Sequence, residues 1–208
     1  LITFAGNDRI VGSNVMVQID QYIYLQGSVI FNKPAAIVTT LTDASQSEVS
    51  WMTMGASNIS GFVGSGFTAL TDNQPNVEAL GLSIAEVSLG LVLMQTTSGA
   101  DNYYALQATV GAVGFHGFSE QVQPSADNLT LAVNGSNTAE VVDFSAATNW
   151  HGTGAITHGL AIADGTGGAQ VLTFNQALLQ ASGTMTLQLD GYVYLTGTLV
   201  FHQGDEVN

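Results

Sequence analysis

At 208 residues the chain is long enough to bury the core of one sizeable β domain or two small ones. Hydrophobic residues make up 46% and charged residues 9%, which excludes a disordered chain, because disorder needs low hydrophobicity with high charge. The net charge of −14, with two basic residues (Arg9, Lys33) against 16 acids, excludes partners bound through phosphate contacts, so neither nucleic acid nor an anionic membrane surface is expected.

No uncharged apolar run approaches the roughly 18–20 residues of a spanning helix, so membrane insertion by a helix is not expected. There is no cysteine, hence no disulfide framework and no thiolate metal site. The sequence opens Leu1-Ile2-Thr3-Phe4-Ala5-Gly6 with no basic leader segment, and is expected to be cut from something longer.

In chain order, Val15 to Phe31 alternates apolar and polar residues and predicts a strand. A proline turn at Asn32-Lys33-Pro34 precedes a second strand, Ala36 to Thr42. Thr68 to Glu78 reads as irregular. Leu82 to Gln95 and Tyr103 to Phe115, joined by the polar loop from Thr96 to Asn102, form the clearest hairpin. Leu129 to Val133 and Ala139 to Phe144 flank Asn134-Gly135, a strong short-range turn signal. Parts of Ala146 to Ile162 read as irregular. Val171 to Gln180, Met185 to Asp190 and Tyr192 to Phe201 make a nearly continuous β run. Every helical candidate is interrupted by glycine or β-branched residues.

The segments Tyr22-Ile23-Tyr24-Leu25 and Gly90-Leu91-Val92-Leu93-Met94 are apolar on both faces. Such strands are expected between two layers or against a neighbouring copy. The fold class is therefore all-β and antiparallel, as a β-sandwich or stacked β-hairpins in an elongated repeat unit, with a multi-coil β-solenoid as the alternative.

A self-match separates the two ends. Residues 17–31 read VQIDQYIYLQGSVIF and residues 187–201 read LQLDGYVYLTGTLVF, at an offset of 170 without a gap, with 7 of 15 positions identical. Tyr22/Tyr192, Tyr24/Tyr194 and Phe31/Phe201 are among the identities and are the expected interface or repeat-defining residues. Fixed-period similarity is the mark of repeat architectures. Residues 1–14 are then the end of a preceding segment, 15–184 one period, and 185–208 the start of the next; the alternative is one β domain over 1–208.

No constellation of catalytic residues stands out, and an enzyme is not expected. His116, His151, His158 and His202 lack metalloprotease spacing. The nucleophile-elbow pattern is absent. Gly152-Thr153-Gly154 and Gly165-Thr166-Gly167-Gly168 lack the lysine of a phosphate loop and read as turns. Ten aspartates and six glutamates are scattered, mostly at predicted strand ends.

Two binding readings remain. Trp51, Trp150, Tyr103 and Tyr104 could stack on sugar rings, with Trp150-His151 in a loop as the best single place, which makes a carbohydrate-binding β domain and surface glycans the alternative reading. The run Gly6-Asn7-Asp8-Arg9-Ile10 resembles the glycine- and aspartate-rich nonapeptide of RTX proteins, with Gly6, Asn7 and Asp8 as calcium candidates. Together with the lysine-poor, cysteine-free texture and the phrase DGYVYLTG at 190–197, the chain resembles repeat regions of large secreted bacterial RTX-type surface proteins and adhesins. That resemblance implies an extracellular or cell-surface location, structural Ca2+, and neighbouring copies or adjacent repeats as partners. The expected function is a structural repeat unit of a surface protein, adhesin, or self-assembling filament or layer.

Overall fold

The computed structural model describes residues 8–68, 70–71, 74–76, 78–117, 122–151, 154, 156–189 and 193–202. The strands are β1 (Asp8–Ile19), β2 (Ile23–Lys33), β3 (Ile37–Thr40), β4 (Gln46–Ser65), β5 (Leu70–Thr71), β6 (Gln74–Pro75), β7 (Leu80–Thr96), β8 (Asn102–His116), β9 (Val122–Ser136), β10 (Leu160–Ala163), β11 (Ala169–Leu172), β12 (Leu178–Leu189) and β13 (Val193–His202). Nine of them form one open sheet in the order β1-β2-β4-β7-β8-β9-β12-β13, with β3 also beside β4. Every strand pairing among the described residues is antiparallel, so the fold is a row of hairpins laid side by side, and parallel solenoid coils are not observed.

Local chemistry sets the turns. Asp20, at φ 48°, carries the chain from β1 into β2, and Tyr22 N–H donates to the Ile19 carbonyl at 3.1 Å. Aspartate tolerates this left-handed conformation better than most residues. The residues from Val15 to Phe31 are therefore a tight hairpin rather than the single strand that alternation predicts. Alternation continues through a three-residue turn, and so hides it. Between β3 and β4 the Asp43 carboxylate accepts from Ser45 N–H at 2.9 Å. The β7–β8 loop closes as expected, with Gly99 N–H donating to the Thr96 carbonyl at 2.8 Å and Asp101 N–H to Thr96 Oγ1 at 3.0 Å.

The Asn134-Gly135 pair does not turn the chain; both lie inside β9. Asn134 is buried, and its amide donates to the carbonyls of Val142 and Gln176, each at 3.0 Å. Gly135 faces the ring of Tyr104, whose Cζ would lie 2.6 Å from any added Cβ. Tertiary contacts thus overrule a local turn signal, and residues after Ser136 are irregular.

These irregular residues and the β10–β11 hairpin cover one face of one end of the sheet. The main core lies beneath them. Val49, Trp51, Val92, Met94, Tyr103 and Ala105 from the sheet meet Val142, Phe144, Trp150, Leu160, Ile162 and Leu172 from the cover. Trp51 and Trp150 meet edge to face at 5.9 Å between ring centroids, and Phe144 stacks on Trp150 at 5.5 Å. Of the two expectations for these strands, burial between two layers of this chain is not met at β7. Val92 and Met94 are buried, but Leu93 on the opposite face is 42% exposed, because the cover lies on one side only.

Candidate functional site

The matched segments occupy the two ends of the sheet. β1 and β12 share their bounds at the offset of 170, and β2 and β13 start at the same offset. The equivalence is wider than the sequence identity, and β1 runs unbroken through the expected boundary at residue 14. The first five rungs also agree, since Ile19↔Ile23 to Val15↔Gly27 correspond to Leu189↔Val193 to Met185↔Gly197. Beyond them an extra residue in β1 shifts the register at Asn14, which has φ 53°. Both hairpins are edges: among the described residues β1 has a neighbour only on its β2 side, and β13 only on its β12 side.

Equivalent residues in the two hairpins have different surroundings. Tyr24 is 8% exposed, and its ring lies 5.0 Å from Phe67, which stacks on Phe62 at 5.2 Å. Its counterpart Tyr194 is 68% exposed. Ile30 is 3% exposed, whereas its counterpart Val200 is 56% exposed. The difference follows from the neighbouring strand: β2 is flanked by β4 and overlain by the second aromatic cluster, and β13 is flanked on one side alone. Phe31 is half-buried, while Phe201 and Tyr22 are exposed. Tyr192 lies outside the described residues.

A row of bulges crosses the middle of the sheet. Asn14, Asn58, Glu86 and Asn128 stand within strands at φ between 52° and 56°. Extra residues of this kind bend a strand and sharpen its twist. Asn14, Asn58 and Glu86 line a polar cavity of about 720 Å3 with Gln26, Ser60 and Thr166. Sequence reading missed this row, because isolated glycine is the signal for a bulge inside a strand pattern and these positions are asparagine or glutamate.

Of the carbohydrate candidates, Trp51, Trp150 and Tyr103 belong to the core, while Tyr104 is 44% exposed. Trp51 and Trp150 are 5% and 3% exposed, and His151 is exposed beside them. All three line a cavity of about 340 Å3 with Arg9, Asn32 and Thr53. Trp51 Nε1 donates to the Ala35 carbonyl at 2.9 Å, while the buried Trp150 Nε1 has no hydrogen-bond partner among the described residues.

The calcium candidates stand differently. Gly6 and Asn7 lie outside the described residues, and Asp8 is a ladder position of β1 opposite Lys33. Among the described residues no three His, Asp or Glu side chains converge to hold a metal.

Individual titratable groups serve local structure. Burial raises the Asp164 carboxyl, but donors from Thr166 N–H at 2.8 Å, Thr166 Oγ1 at 2.9 Å and Gly168 N–H at 3.0 Å outweigh it and hold the group below its ordinary value. Burial lowers the His116 imidazole, which shares a 2.8 Å hydrogen bond with Ser83 Oγ.

The chain matches no family model, no curated protein and no solved structure.

Proposed function

We propose that this chain is a structural, non-catalytic repeat unit of an extracellular bacterial surface protein, adhesin or self-assembling filament, in which neighbouring copies meet edge to edge. One observation carries the reading: two sequence-matched hairpins sit at opposite edges of one open sheet, and among the described residues each leaves its outer ladder unpaired. Exposed edges without cationic side chains invite pairing with another strand, and β13 has no lysine or arginine. Apolar side chains such as Tyr194, Leu199 and Phe201 line that edge, so a neighbour would add burial at roughly 25 cal/mol per Å2 to the ladder hydrogen bonds. The function is then mechanical, a load carried by continuous hydrogen-bonded strands. The test is the intact mass of the native polypeptide under denaturing conditions, recovered from the cell surface or medium. A mass many times 21.6 kDa supports the reading, and a mass near 21.6 kDa removes the array.

A carbohydrate-binding β domain is the second reading, favoured by the cavity where Arg9, His151 and the unpartnered Trp150 N–H converge. A sugar there would meet indole edges and polar groups rather than a stacking face. Glycan-array binding that is lost in Arg9→Ala and His151→Ala, with the fold retained, supports it. Unchanged or absent binding rejects it.

A further inference from the structure

Resting on the array reading above, we propose that successive copies share one uninterrupted sheet, with β13 of one unit pairing antiparallel with β4 of the following copy in the register that β2 uses here. In such a chain β12 and β13 are the next unit's β1 and β2. The β9–β12 ladder, which runs from Leu178↔Asn134 to Leu189↔Val122, is then one half of the joint. The other half is the free ladder of β13. Transferring the β2–β4 register, Ile23↔Val63 to Asn32↔Thr53, sets Tyr194 opposite Phe62, Thr198 opposite Ser57 and Phe201 opposite Met54 of the following copy.

Three features of this chain point to that occupant rather than to an unrelated strand. First, the aromatic pocket that covers Tyr24 is made by Phe62 and Phe67, which flank the β4 edge, and Tyr194 repeats the tyrosine without the pocket. Second, Val200 repeats the position of buried Ile30 but lies exposed.

Third, the glycine at the bulge is repeated where none of the described residues requires it. A Cβ at Gly27 would lie 2.9 Å from Ile59 Cα and 3.0 Å from the Asn58 carbonyl, because the β4 bulge presses against it. A Cβ at Gly197 would meet nothing within 4 Å. The following copy's Asn58-Ile59 bulge supplies the missing reason. The same device recurs elsewhere in the sheet: a Cβ added at Gly111 would lie 2.8 Å from Glu86 Cβ, and one at Gly183 3.1 Å from Leu129 Cγ.

The absence of native cysteine makes introduced pairs unambiguous. In the 208-residue chain, Ser28→Cys with Ser57→Cys sets the disulfide yield for this rung. A two-repeat chain is made by appending residues 33–208 directly after His202. There, Thr198→Cys in the first copy with Ser57→Cys in the appended copy is expected to reach a comparable yield. Thr198→Cys with Ala56→Cys of the appended copy is expected to fail, since a one-residue slip turns the side chains to opposite faces. No disulfide at the first pair, or an equal yield at the second, overturns the proposal.

Gly197→Val reads the joint without cysteines. It is expected to leave the melting temperature of the 208-residue chain unchanged and to lower that of the two-repeat chain, as Gly27→Val lowers it in the single unit. Equal tolerance in both chains, or a two-repeat chain that does not fold, overturns the proposal. A native polypeptide of one-unit mass would remove the array reading whatever these pairs do. An array-sized polypeptide with no Thr198–Ser57 crosslink would remove the joint alone.

Discussion

Gly55 and Gly90 face each other across β4 and β7, and the covering hairpin rests directly on them. A Cβ on Gly55 would collide with the Ala163 carbonyl and lie 3.2 Å from Asp164 Cα, and one on Gly90 would lie 2.8 Å from Gln170 Cβ. Two side-chain-free positions in register thus let the cover approach the sheet and close the core over Trp51 and Val92. Overpacking a tight contact costs about 1–3 kcal/mol. Gly55→Ala is expected to lose that much in urea unfolding and to change tryptophan fluorescence. Gly99→Ala, at a turn with open space around it, is expected to cost about 1 kcal/mol from backbone strain and to leave the fluorescence unchanged.

Trp150 joins the cover to the sheet through Trp51 and Phe144. Removing a large buried aromatic leaves a cavity and costs about 3–5 kcal/mol. Trp150→Ala is expected to destabilise by that amount in denaturant unfolding, a loss that an exposed sugar-binding tryptophan would not produce.

Asn134 is also expected to be needed for stability despite lying in a sequence that reads as a turn. Its buried amide holds Val142 and Gln176 on either side of the cover. Asn134→Ala leaves both carbonyls without a partner, at about 1–3 kcal/mol for a buried group. Asn134→Asp is expected to be worse, because it replaces two donations with a buried acceptor. Thermal unfolding of both variants measures the order.

Stability is expected to fall as pH drops through about 6.5. Burial lowers the folded His116 pKa, so the unfolded chain takes up a proton at its ordinary value near 6.5 while the folded chain does not. Asp164 has the opposite chemistry and the same sign: its lowered folded pKa contributes stability above about pH 3.9 that is lost as pH falls further. A melting curve recorded from pH 8 to pH 3 is expected to show both losses, and His116→Gln is expected to remove the first.

The all-β class, the absence of helix and the β7–β8 hairpin were legible because alternation and a polar loop coincide there. β4 was not, although it is the longest strand at 20 residues. Its run of Gly55, Ala56, Ser57, Ser60 and Gly61 lacks a hydrophobic rhythm, because small residues are needed beneath the cover and beside the bulges. Asn134-Gly135 misled for the converse reason, since its turn chemistry is local and the contacts that overrule it come from residues 142 and 176. The candidate edges were legible as a repeat, but sequence alone could not tell that the two copies lie at opposite ends of one sheet. The row of φ-positive residues, three asparagines and Glu86, went unread because each sits within an ordinary apolar strand.

The most direct test of the central claim is the length added by each repeat, measured by small-angle X-ray scattering on three-, four- and five-repeat chains, in which the row of strands is longer than any one strand. One period contributes six strands to the main path of the sheet, β1, β2, β4, β7, β8 and β9. At about 4.8 Å per strand this predicts a constant increment of about 29 Å in the long dimension. Increments that are much larger, or that vary as those of separate domains on a flexible linker do, would contradict a continuous sheet.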